Sequence, residues 1–160
     1  MKYLKLLSIL LSILLSILLL NSCGYKKLNT ENLNDFKINK LEINGERKLV
    51  YILKNNIEIY SSQNSKIIYD IRIDLVSVKE AKIKNTAGKT TRYSNKFQAD
   101  VLITNINTKN VHRKTFKSIN DYDIGSAHSD TLNNEKNAIK NNINYISGEI
   151  IKFLKLLKFN

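Results

Sequence analysis

The chain has 160 residues, room for one modest domain, and its 42% hydrophobic and 25% charged content permits a core of ordinary composition. Twenty-six Lys and Arg stand against 14 Asp and Glu, a formal net charge of +12 that favours anionic partners. One cysteine excludes an internal disulfide, and with no proline and 22 asparagines the turn signals must come from Asn, Asp and Gly.

The opening "MKYLK" carries Lys2 and Lys5, a short positive segment. Leu6 to Leu20 follows with only Leu, Ile and three serines, 15 residues in all. That matches the apolar region of a signal peptide and falls short of the roughly 20 residues that span a bilayer. The run ends in Leu20-Asn21-Ser22-Cys23, which resembles a bacterial lipobox: Leu at −3, a small residue at −1, then the cysteine. Asn21 stands where Ala, Ser or Thr is commoner. The small Ser22 fits a signal peptidase, and the Cys23 thiol becomes the acylated new N-terminus. The expected organisation is a signal peptide over 1–22, a lipidated tether over 23–34 and one domain over 35–160. Removal of Lys2 and Lys5 leaves that mature chain at +10. Each acyl CH₂ buried in a membrane contributes about 0.8 kcal/mol, so several chains hold the protein stably. Gly24 follows the cysteine, where an Asp would favour the inner membrane, so the expected location is the periplasmic side of the outer membrane. Nucleic acid then drops out as a partner.

Along the mature chain, "DFKINKLEI" alternates as a short strand with an irregularity near Asn39. "NGE" turns the chain. Leu49, Val50, Ile52, Leu53, Ile57 and Tyr60 then form a helical stripe that starts at Glu46. "KIIYDIRIDLVSV" is the clearest strand: Ile67, Tyr69, Ile71, Ile73 and Leu75 on one face, Asp70, Arg72 and Asp74 on the other. Val76 and Val78 switch the phase, which predicts a bulge near Leu75. "KIKNTAGKTTR" reads as a polar tip containing Gly88. Tyr93, Phe97, Ala99, Val101 and Ile103 alternate again, giving a long antiparallel hairpin, with Tyr69, Tyr93 and Phe97 expected in the core. "NINTKN" is a second turn, and "VHRKTFKSI" is thin in apolar residues, as expected of an edge strand guarded by lysines. From Leu132 to Leu157 a period near 3.6 marks a long final helix, with Ser129 or Asp130 as its cap. The predicted fold is α+β: a two-layer sandwich of a four-stranded, mostly antiparallel sheet with two helices on one face, in the order β-α-β-β-β-α.

No grouping in the chain suits catalysis. His112 and His128 lack a Cys or His partner at ligand spacing, and His112 is expected to be exposed. Asp121, Asp123, His128 and Asp130 fall together in one loop, but a solvated turn accounts for them without a metal. Gly88-Lys89-Thr90 lacks the preceding glycine and the strand-loop-helix context of a phosphate loop. The basic residues are the better candidates for binding: Lys82, Lys84, Lys89 and Arg92 flank the hairpin tip, and Lys140 lies on the polar side of the last helix. A solvated charged turn is the plainer reading of the four.

With this element order, the Cys-Gly-Tyr at 23–25, the strand-turn-strand "FQADVLITNINTKNVHRKTFKS" and the terminal helix "EKNAIKNNINYISGEIIKFL" together resemble the LPS-assembly lipoprotein LptE family. The resemblance covers nearly all of residues 23–157. One departure is "KKLNTENLND" in place of the family's Pro-containing stretch after the cysteine. The resemblance implies a non-enzymatic outer-membrane lipoprotein that binds lipopolysaccharide and sits in the lumen of an LptD-type barrel, which it helps to fold. It implies no cofactor beyond the covalent lipid on Cys23, and it places lipid A phosphates near the basic hairpin. Another periplasmic lipoprotein adaptor, such as a pilotin or an accessory subunit of a lipid transporter, would share the anchor and the charge. A lipid-anchored hydrolase fits least.

Overall fold

A computed structural model of the chain describes residues 36–157. The signal-peptide, lipobox and tether assignments, Cys23 among them, lie outside those residues. Strand β1 (Lys37–Asn44), helix α1 (Arg47–Glu58), strands β2 (Ile68–Lys84), β3 (Thr90–Asn105) and β4 (Val111–Asp123), and helix α2 (His128–Leu156) follow in chain order. The fold is α+β in the predicted order, an open four-stranded sheet with strand order β1-β2-β3-β4.

Helix α1 is the crossover that lets β1 lie parallel to β2, whereas β2, β3 and β4 pair antiparallel through short turns. Alternation along β2 puts Tyr69, Ile71, Ile73 and Leu75 under the helices, each at most 5% exposed. In register beside them, β3 contributes Ala99, Val101 and Ile103, and β4 contributes Phe116. Leu49, Leu53 and Ile57 of α1 and Ile143, Ile146, Ile150 and Leu154 of α2 close this core from one side. A large buried aliphatic side chain contributes about 1.5–3 kcal/mol, so this layer is the main source of stability.

The irregularity expected near Asn39 is present, as a register shift between Ile38 and Lys40. The bulge expected near Leu75 is not. The β2–β3 register runs unbroken through Leu75, Val76 and Val78 and first shifts between Ala81 and Ile83. The reason is that β1 ends at the Asn44–Asp74 pair, so beyond it β2 has no neighbour on one side. From Val76 to Lys84 every β2 residue is exposed, and the two-faced pattern no longer applies. The hairpin turn is likewise shorter than the polar run suggests, with strand structure to Lys84 and again from Thr90. Gly45 makes the β1–α1 turn with φ +147°, where a Cβ would run into the Leu75 carbonyl oxygen.

The final helix starts at His128 with Ala127 as its N-cap. Asp130 stabilises this end by a different device from an N-cap side chain: its Oδ2 accepts the Ala127 N–H at 3.3 Å, reaching back from the third helical position. β4 is an edge strand as expected.

Candidate functional site

The sheet narrows along β2. Four strands pair as far as Asp74, three as far as Ile83, and only β2 and β3 continue to the tip. The turn is fastened by Asn85, whose Oδ1 accepts N–H bonds from Ala87 at 3.1 Å and Lys89 at 2.9 Å. Gly88 adopts φ +77°, a left-handed conformation that glycine takes without steric cost.

The hairpin candidates divide into two kinds. Lys82 is hydrogen-bonded to Asp121 on β4. Arg92 grips Asp123 with both ends of its guanidinium, Nε to Oδ1 at 2.6 Å and a terminal nitrogen to Oδ2 at 3.1 Å. These contacts hold both carboxyls below the ordinary range, Asp121 chiefly through the Lys82 hydrogen bond and Asp123 chiefly through that of Arg92. Lys84 and Lys89, at the tip, make no ion pair with a described residue. Lys140 does not join them. It is exposed on α2, in the helical layer, whereas Lys82 and Arg92 stand on the helix-free face.

That helix-free face is a mosaic of opposite charges. Arg72 meets Glu42 on β1 through two contacts of 3.2 Å, and Lys96 meets Glu80 at 2.5 Å. Val76, Val78 and Ile119 add exposed apolar area between the pairs.

The helix-facing side of the hairpin base holds a group that the sequence did not single out. Lys79 Nζ lies 2.8 Å from Glu135 Oε1 on α2 and 4.7 Å from the centre of the Tyr93 ring. Tyr93 and Tyr122 stack with ring centroids 5.7 Å apart. Burial pulls the Lys79 ammonium down, yet its hydrogen bond to Glu135 and the neighbouring Tyr122 outweigh this and leave it above the ordinary lysine value. Tyr93 is thus half-buried beside a cation, while Tyr69 and Phe97 do lie in the core. Below the stack, Asn142 is fully buried. Its Nδ2 donates to the Asn95 carbonyl at 3.0 Å, and its Oδ1 accepts from Ser118 and Asn120.

His112 is half-buried at the opposite end of the sheet, where it lines a cavity of about 220 Å³ with Tyr69, Asn105 and Leu157. The acidic residues expected in one loop lie on two elements instead: Asp121 and Asp123 are in β4, held by cations, while His128 and Asp130 are in the first turn of α2, where Asp130 holds the helix start. Among the described residues no three His, Cys, Asp or Glu side chains gather as metal ligands would, and no helix is long and apolar enough to cross a membrane.

No protein family and no curated protein matches the sequence. Solved structures do match the fold. Rare lipoprotein B from Shewanella oneidensis superposes with a TM-score of 0.59 over 78% of this chain and 97% of its own, at 9% identity. A lipoprotein B from Nitrosomonas europaea gives 0.54 over 72% of this chain and 80% of its own, at 11% identity. A Caulobacter crescentus protein provisionally described as a lipoprotein gives 0.52 over 78% and 90%, at 10% identity. At such identities the likeness is one of fold: this chain is folded as these lipoproteins are.

Proposed function

We propose that the chain is a lipid-anchored lipoprotein on the periplasmic side of the outer membrane, carried by acyl groups on Cys23. In this reading it binds lipopolysaccharide at the β2–β3 hairpin and plugs an LptD-type barrel, whose assembly it assists. The LptE resemblance at Cys23-Gly24-Tyr25 and in the later segments supports this, as does a fold shared with lipoproteins. The observation that carries it is the split among the hairpin cations. Lys82 and Arg92 are engaged by Asp121 and Asp123 and hold the hairpin on the sheet, which leaves Lys84 and Lys89 available at the exposed tip. Two ammonium groups on a narrow two-stranded tip suit phosphate-bearing lipid headgroups, such as those of lipid A. The mixed-charge, helix-free face suits the polar lumen of a large barrel. The role proposed is binding and plugging, with no catalytic step.

The division among the cations selects the variant for the test. Reversing Lys82 or Arg92 would set like charges against Asp121 or Asp123 and disturb the fold. Lys84→Glu with Lys89→Glu disturbs neither pair. Lipopolysaccharide pulled down by the mature protein should fall at least tenfold in this variant with circular dichroism unchanged; undiminished capture refutes the reading. Affinity purification from gently solubilised outer membranes should recover a stoichiometric large barrel. Recovery of a secretin or an inner-membrane complex instead would point to the pilotin or transporter-adaptor reading.

A further inference from the structure

The end of the domain opposite the hairpin tip combines bare lysines with exposed aliphatic side chains. The described chain begins there, at Phe36, which is 1% exposed and packs on the Tyr69 ring at 5.9 Å. The loop after α1 is tied to the same place, Ser62 N–H donating to the Phe36 carbonyl at 2.9 Å. The β3–β4 turn joins it through Asn107, whose Nδ2 donates to the Lys66 carbonyl at 3.1 Å. The last turn of α2 closes the group, with Lys155 Nζ 5.7 Å from the centre of the Tyr60 ring.

Lys37, Lys66, Lys109 and Lys155 all belong to this end, and none forms an ion pair with a described residue. The two connecting loops, 59–67 and 105–110, contain no Asp or Glu. Three large aliphatic residues stand out among the cations: Ile59 is 76% exposed, Leu156 61% and Val111 59%. On the helix-free face, by contrast, Lys82, Arg92, Lys96 and Arg72 are each matched by a carboxylate. Cations interspersed with exposed aliphatics suit the boundary between anionic headgroups and acyl chains.

We propose that this end of the domain is a docking surface for an anionic phospholipid membrane, the membrane that holds the chain's N-terminus. The proposal rests on reading Cys23 as the anchor and is independent of lipopolysaccharide or barrel binding. Residues 23–35 span at most about 45 Å when extended, so the anchor keeps Lys37 and the loops around it near the headgroups. The acyl chains already hold the protein on the membrane, and a basic surface beside the tether orients the domain against the headgroups. In the docked state Ile59, Val111 and Leu156 enter the headgroup region and the four lysines meet lipid phosphates. This is the state of the domain outside a barrel, and in it the hairpin tip is directed away from the bilayer.

The test uses the mature protein purified from membranes and reconstituted into vesicles of phosphatidylcholine alone or with phosphatidylglycerol. Cys23 is the sole cysteine and is acylated in this reading, so an added cysteine is the one free thiol. Spin labels at Asn64→Cys, in the loop after α1, and at Ala87→Cys, at the hairpin tip, are compared for collision with a water-soluble relaxant. The Asn64 label should be shielded only in the anionic vesicles and the Ala87 label in neither. Lys66→Glu with Lys109→Glu should abolish the shielding, while Lys84→Glu with Lys89→Glu should leave it intact. An Asn64 label open to the relaxant in anionic vesicles overturns the proposal, as does a shielded Ala87 label. Equal shielding in neutral vesicles overturns it too, because the tether alone would then account for it. The mass of the N-terminal peptide reports acylation separately, so loss of the anchor and loss of docking are distinguishable.

Discussion

Lys79 on β2 donates a 2.8 Å hydrogen bond to Glu135 on α2, joining the exposed half of the long hairpin to the helical layer. On the opposite face, Lys82–Asp121 and Arg92–Asp123 join the same hairpin to β4. The hairpin base is therefore held from both sides of the sheet. If the Lys79 contact does this, a double-mutant cycle of Lys79→Met and Glu135→Gln should give a coupling of about 0.5–1 kcal/mol, since the pair is partly exposed and solvent-screened. Urea denaturation of the four proteins measures it, and a coupling of zero would mean that Tyr93 and Tyr122 do the fastening.

Asp121 and Asp123 make the attachment to β4 sensitive to acid. Both carboxyls titrate lower in the fold than their unfolded value near 3.9, so their stabilisation is present above that value. It is lost as the pH falls through the lowered folded values. The wild type should melt above an Asp121→Asn, Asp123→Asn variant from pH 5 to 7. The two melting curves should converge as the pH drops below about 3. A difference that stays constant down to pH 2 would contradict the link.

Asn142 should be among the least replaceable residues of α2. Asn142→Leu strands the Asn95 carbonyl and removes the shared acceptor of Ser118 and Asn120, at a cost of about 2–4 kcal/mol. A lower urea midpoint with an unchanged denaturant slope is the expected result. Wild-type stability in this variant would show that water satisfies those groups.

Two glycines with positive φ should respond differently to alanine. At Gly88 an added methyl group would have no heavy atom within 4 Å, so Gly88→Ala bears only the left-handed strain, about 1 kcal/mol. At Gly45 a Cβ would fall 2.6 Å from the Leu75 carbonyl oxygen, and both partners are backbone-fixed. Gly45→Ala should therefore cost about 3 kcal/mol or more, read as a drop in melting temperature. Equal effects at the two positions would refute the steric argument.

The core was legible where each strand has a helix above it. Ile71, Ile73, Ala99, Val101 and Ile103 alternate because one face is dry and the other wet, and that period is visible in a single sequence. Past Leu75 the dry face ends, and Val76 and Val78 no longer report which way the strand points. Lys82, Lys84, Thr90 and Arg92 read as loop because they are polar, though they lie in paired strands. The candidate site was legible only as a concentration of charge. Which lysines are occupied depends on partners such as Asp121, 39 residues from Lys82, and Glu135, 56 residues from Lys79. Such pairings are set by strand register and helix docking, which local pattern does not encode.

The stepwise loss of strands along β2 gives the molecule a gradient of stiffness. β2 runs for 17 residues, about 55 Å at the usual rise per residue, and loses its β1 neighbour less than halfway along. Near the core it is held by strands on both sides and by helices above; at Lys84 it is held by β3 alone. Resistance to bending and twisting therefore decreases towards the tip, as in a tapered cantilever. The tip can yield to a ligand or a confining wall while the core layer keeps its packing. Its two lysines can thus shift to match an anionic ligand without the domain having to refold.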